Sequence, residues 1–134
     1  MKRVGIDTNI LIRLLVDDDP VQRPVVEAFG RKLNHEFNGF VTMATMLEIN
    51  WALASQYGYG RAECVAAMRR ILQIRGMEIE HHDAVVRAVR LVELHNADFA
   101  DALIAARSLE SGCDHVVTLD RKAAKSVPGM ELLE

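Results

Sequence analysis

Cysteine is nearly absent: Cys64 and Cys113 are the only two in 134 residues. They lie far apart, with no C-x-x-C spacing, so neither a disulfide scaffold nor a structural zinc site is expected, and both read as ordinary buried thiols. Aromatic residues make up only 5% of the chain, which disfavours a groove that binds single strands by stacking bases on aromatic rings. Long apolar runs are missing too. The stretch Ala102 to Ala106 falls far short of the roughly 20 residues that a membrane-spanning helix needs. The apolar stretch Ile10 to Val16 is interrupted by Arg13 and has no small-residue cleavage site after it, so no signal peptide is expected and a cytoplasmic location is. Charge of one sign does not dominate either: 16 Lys and Arg against 19 Asp and Glu give a net charge of −3. No global field draws the protein to nucleic acid or to an anionic membrane, and any polyanion partner needs a local basic patch.

What is present is an ordinary globular composition, 50% hydrophobic and 26% charged. A chain of this length buries enough surface to fold as one domain, 1–134, without a metal or a disulfide. Val4-Gly5-Ile6 reads as a short strand, and Asn9 to Val16 as a short helix. Asp17-Asp18-Asp19 followed by Pro20 has the form of a helix start, predicting a second helix to about His35, kinked by Pro24 and Gly30. Asn38-Gly39 reads as a turn before a strand at Phe40-Val41-Thr42. Helices are expected over Thr45 to Tyr57, stopped by Gly58 and Gly60, over Arg61 to Ile74, over His81 to His95 with Val85, Val89 and Val92 on one stripe, and over Asp98 to Ser111, ended by Gly112. Brief strands are expected at Met77 to Glu80, His115 to Leu119 and Met130 to Leu133. This alternation predicts a three-layer α/β/α fold with a central, mostly parallel sheet.

In open parallel sheets functional groups gather beyond the carboxyl ends of the strands. That rule selects Asp7 after the first strand, Glu48 in the helix after the second, and Asp120 after the strand His115 to Leu119. Asp98 and Asp101 open the helix before that last strand. Two carboxylates about 4 Å apart repel by roughly 4 kcal/mol at an effective dielectric of 20, so a cluster requires protonation or a bound cation. Oxygen donors without thiolate or imidazole suit Mg²⁺ or Mn²⁺. Each acid also has a purely local use. Thr45-x-x-Glu48 has the form of a capping box, Asp98 of an N-cap, Asp101 of a favourable first-turn acid and Asp120 of a turn opener. Asp7 has less local excuse, because it ends an apolar strand and begins an apolar helix.

Val4-Gly5-Ile6-Asp7-Thr8-Asn9 resembles the opening motif of PIN-domain nucleases. Thr42 to Glu48 is similar to the segment that carries the family's second acid, Ala97 to Ala106 to the third, and Val117-Thr118-Leu119-Asp120 to the fourth. The resemblance spans almost the whole chain, and its compact size is similar to that of the VapC-like toxins of prokaryotic toxin–antitoxin pairs. It implies a Mg²⁺- or Mn²⁺-dependent ribonuclease with Asp7, Glu48, Asp101 and Asp120 as acidic quartet and metal ligands, and with Asp98 as a fifth acid that shares the site or serves only as an N-cap. Thr8, Asn9 and Thr118 would orient carboxylates or water. The resemblance further implies an RNA substrate, a homodimer and a VapB-like antitoxin.

A metal-assisted hydrolysis would leave a 5′-phosphate and a 3′-hydroxyl. The competing use of the 2′-hydroxyl needs paired imidazoles, and His35, His81, His82, His95 and His115 supply no evident pair. Arg13, Arg61, Arg69, Arg70, Arg75, Lys122 and Lys125 are the candidates to hold phosphates at the rim, each equally at home on a solvated face. Apolar positions in excess on Thr45 to Tyr57 and Arg61 to Ile74 are candidates for an interface. Two other readings stand beside the nuclease. An aspartate-based phosphotransfer domain would want an acid adjacent to Asp7, where the sequence has Ile6 and Thr8; a catalytically inactive PIN-like scaffold would bind without cleaving.

Overall fold

Strand β1, Lys2–Gly5, pairs with β2, Phe37–Val41, and β2 with β3, Met77–Ile79, all in parallel. Parallel neighbours require a crossover, and helices supply it: α1 (Thr8–Leu15) and α2 (Arg23–Lys32) between β1 and β2, then α3 (Met43–Ser55) and α4 (Arg61–Leu72) between β2 and β3. These elements form one compact unit, Met1–Glu80, of a computed structural model that describes residues 1–134. A second unit, His81–Glu134, contains α5 (His82–His95), α6 (Phe99–Glu110), β4 (Val116–Thr118), α7 (Arg121–Ser126) and β5 (Met130–Leu132). Its two strands are also parallel. Helices thus alternate with parallel strands throughout, in keeping with the expected three-layer α/β/α plan, and no helix is long and apolar enough to cross a membrane.

Leu11, Met46, Ile49, Leu53, Met68 and Ile71 are fully buried in the first unit. In the second unit, Val85, Val89 and Val92 are buried as their spacing predicts, beside Ala84, Ala88, Ala102 and Ala105. Small side chains at these positions let α5 and α6 pack closely. Helix α5 is bounded by two residues in the left-handed region, His81 at φ 52° and Asn96 at φ 55°.

Several expectations need correction. Asn38-Gly39 is not a turn but the middle of β2. The glycine is there for close approach: a Cβ at Gly39 would overlap Ile6 Cδ1 and lie 3.2 Å from both Leu33 and Met77. Helix α2 starts at Arg23, so Pro24 rather than Pro20 occupies its first turn, where a missing N–H costs nothing, and the helix continues through Gly30 to Lys32. Asp19 instead turns the chain, accepting from the Val21 and Gln22 amides at 3.0 Å each. Helix α7 escapes the sequence reading because Arg121–Ser126 has no apolar stripe. Cys64 is buried, and desolvation followed by the charge of Glu63 pushes its thiol pKa up, but Cys113 is exposed. Trp51, counted among the apolar positions of its helix, is 64% exposed.

Gly76 and Gly58 both have positive φ, at 82° and 69°. A Cβ at Gly76 would stand 2.7 Å from the Asn34 amide nitrogen, whereas one at Gly58 meets nothing within 4 Å. Gly58→Ala should therefore cost about 1–2 kcal/mol, the left-handed penalty alone, and Gly76→Ala clearly more. Urea unfolding of the two variants would test this, since equal costs would show that the contact with Asn34 contributes nothing.

Candidate active site

The first unit joins two carboxylates through one threonine. The Ile6 amide donates to Phe40 O at 2.9 Å, carrying the pairing of β1 to the residue before Asp7. Asp7 then turns the chain into α1 as its N-cap, Oδ1 accepting from the Thr8 amide at 2.8 Å. Thr8 is buried, and its hydroxyl donates to Glu48 Oε1 at 2.9 Å. Forty residues separate Thr8 from Glu48, so the contact is tertiary. It settles the capping-box question. The N-cap of α3 is Thr42, whose Oγ1 accepts from the Thr45 amide at 3.1 Å. Glu80 Oε1 accepts from the Met43 amide at 2.9 Å. Glu48 is therefore not spent on its own helix terminus. Asn9 is exposed in the first turn of α1.

Glu80 was missed by the sequence reading, although the rule that selected Asp7 and Asp120 applies to it equally. It directly follows β3, and its amide donates to Val41 O at 2.9 Å.

The second unit brings three acids into one another's field. Asp98 caps α6, Oδ2 accepting from the Asp101 amide at 3.1 Å. Asp120 caps α7, Oδ1 accepting from the Ala123 amide at 3.0 Å, while its own amide donates to Thr118 Oγ1 at 3.1 Å. Thr118 thereby fixes the turn that presents Asp120. Asp101, half-buried in the first turn of α6, has its pKa raised by desolvation first and then by the charges of Asp98 and Asp120. Asp98 thus serves as an N-cap and also acts on Asp101.

Asp7, Glu48, Asp98, Asp101 and Asp120 share a second property: none is ion-paired to a cation of its own unit. By contrast Asp17, Asp18, Asp19, Glu27, Glu78 and Glu110 each pair with an arginine. A set of unneutralised carboxylate oxygens, free of thiolate, is the donor chemistry that Mg²⁺ or Mn²⁺ prefers. Within neither unit do three metal-ligating side chains already stand at coordinating spacing, and one oxygen each of Asp7, Asp98 and Asp120 is engaged by a helix amide.

The cations sort differently from the sequence expectation. Arg13 is held within the first unit: Nε donates to Gln22 at 2.8 Å, and Nη1 donates to both Asp18 and the Tyr57 hydroxyl at 3.1 Å. Its guanidinium fork braces α1 and is not available as a phosphate ligand. Arg70, Arg75, Lys122 and Lys125 are exposed, while Arg61 and Arg69 lie on α4. The histidines face separate acids: His81 lies 3.7 Å from Glu110, His82 3.4 Å from Asp83 and His115 3.7 Å from Glu131.

Because Asp101 is easier to protonate folded than unfolded, the native state binds more protons, and stability is lost as pH rises from the ordinary aspartate range through the raised native value. Asp101→Asn removes that loss. In chelator, its melting temperature relative to wild type should be higher at pH 7 than at pH 3.5; a difference that does not change with pH would show that the three acids do not interact.

Comparison with known proteins adds a family. No curated protein matches the chain. A family model, the PIN domain, matches residues 4–128, a stretch that contains all five carboxylates and both threonines that hold them. The chain belongs to the PIN domain family.

Proposed function

We propose that this chain is a Mg²⁺- or Mn²⁺-dependent endoribonuclease, the VapC-like toxin of a toxin–antitoxin pair, with Asp7, Glu48, Asp101 and Asp120 as its acidic quartet and Asp98 as an accessory acid. PIN domains are generally metal-dependent nucleases. The observation that carries the reading to these residues is that these five acids at strand ends and in early helix turns have no cationic partner in their own unit, while six acids elsewhere each pair with an arginine. Thr8 supports it further, because a buried hydroxyl that spans 40 residues to reach Glu48 fixes a carboxylate which α3 does not use for its own terminus.

In this reading Asp7 and Glu48 of the first unit, and Asp101 and Asp120 of the second, are the residues that would supply metal ligands, through oxygens not engaged by helix amides. The bound ion would acidify the attacking water and offset charge gathering on the phosphate. Thr8 fixes the Glu48 carboxylate, and Thr118 fixes the backbone that carries Asp120. Burial first, and then the charges of Asp98 and Asp120, raise the pKa of Asp101, and a bound cation would favour its ionised form. The water attacks phosphorus in line with the departing 3′ oxygen, leaving a 5′-phosphate and a 3′-hydroxyl. A VapB-like antitoxin and a homodimer belong to the same proposal; the exposed indole of Trp51 on α3 supports a protein interface in the first unit.

Wild type with Mn²⁺ should cleave RNA to 5′-phosphate ends, and chelator or Asp7→Asn should lower the rate by about two orders of magnitude or more. Equal cleavage in every tube would refute the proposal. Binding should also raise the melting temperature, by the equivalent of about 2.7 kcal/mol at a hundredfold excess over Kd.

Thr8→Val keeps the shape and the amide that holds Asp7 but removes the donor to Glu48. It should leave melting within a few degrees of wild type and weaken metal affinity or cleavage by about 10–100-fold. Unchanged Mn²⁺ titration and cleavage would show that the hydroxyl is only a core filler.

A further inference from the structure

Helix α7 carries three cations in six residues, Arg121, Lys122 and Lys125, and no acid. All three are exposed, and none has a carboxylate partner in its unit. On a chain with net charge −3, whose arginines are so often spent on neighbouring acids, that is a local excess. The three also share a place. Together with Ala124 and Leu132 they line a groove of about 570 Å³. Arg121 and Lys125 stand one helical turn apart, about 5–6 Å between their Cβ atoms, near the spacing of successive phosphates along an extended single strand. The helix is placed by Asp120, whose Oδ1 caps it through the Ala123 amide. Whatever the groove holds therefore lies beside that carboxylate.

Phosphate contacts position a nucleic acid without reading its sequence. The groove has a composition suited to such contacts, with fixed positive charge, one leucine and one alanine, and no aromatic ring. We propose that Arg121, Lys122 and Lys125 form a phosphate track that seats the backbone of single-stranded RNA beside Asp120. This deepens the nuclease reading and rests on it for the identity of the substrate. Lys122 and Lys125 were sequence-level candidates; Arg121 joins them because the fold puts all three in one groove, whereas Arg13 is bound up in its own unit.

The test is binding of a short fluorescein-labelled RNA of mixed sequence, followed by anisotropy in chelator so that no cleavage occurs, across a salt series. Arg121→Gln/Lys122→Gln/Lys125→Gln should bind about tenfold or more weakly at low salt. Its slope of log K against log salt should be shallower by about 2, at roughly 0.7 per lost contact on a single strand. Lys125→Gln alone should remove about 0.7 of slope, which keeps the test valid should the triple variant fold poorly, and Lys122→Arg/Lys125→Arg should bind as wild type does. Arg87→Gln/Arg90→Gln, which removes charge from α5 instead, should leave the slope unchanged. Wild-type slope in the triple variant, an equal loss in the α5 variant, or no RNA binding by wild type at low salt would each overturn the track. Binding in chelator is independent of the nuclease reading: a protein that binds RNA through α7 yet never cleaves it with Mn²⁺ would refute the nuclease and leave the track standing.

Discussion

Three of the five candidate carboxylates are held by the amides at the beginning of a helix. The first amides of a helix lack intrahelical acceptors and carry a partial positive charge, so an aspartate at the N-cap is both a stabilising cap and a fixed anion. Asp7, Asp98 and Asp120 each bind one such amide through one oxygen. Fixing a negative side chain in this way costs the fold little, because the helix end itself stabilises the charge. The second oxygen is left over, oriented by the same bond. Acids close together without arginine partners would otherwise be a liability, and the Asp101 pKa is raised by burial first and then by the charges of Asp98 and Asp120.

Glu48 is held by a different means. It lies past the first turn of α3, where the helix terminus offers it nothing, and a buried threonine from α1 orients it. The release of Glu48 depends on two other residues taking over the terminus of α3, Thr42 through its hydroxyl and Glu80 through its carboxylate. One interaction at β3 thus frees a group on α3 for other work, and the unit has to fold as a whole before Glu48 is positioned.

Much of this was legible in the sequence. Strand-end position alone identified Asp7 and Asp120, and the alternation of short apolar runs with helical periodicity pointed to the parallel α/β plan. What was not legible was tertiary. A capping-box spacing at Thr45 and Glu48 satisfies the local rule, yet the rule is overridden when Thr42 rather than Thr45 caps the helix and Glu80 arrives from β3. Asn38-Gly39 carries the letters of a turn, but Gly39 is small because Ile6, Leu33 and Met77 crowd it. Arg13 looks like any basic residue in sequence, and only the placement of Gln22, Asp18 and Tyr57 around it shows that it is structural. Helix α7 has no apolar stripe to announce it and is defined by its cap at Asp120.

The double duty of the aspartate caps separates two kinds of damage. Asparagine is as good an N-cap as aspartate, whereas alanine forfeits about 1 kcal/mol at such a position. Amide replacements at Asp7, Asp98 or Asp120 would thus yield proteins that fold, accumulate and still present their surfaces to partners while lacking the charge, whereas truncations would remove the charge and the cap together.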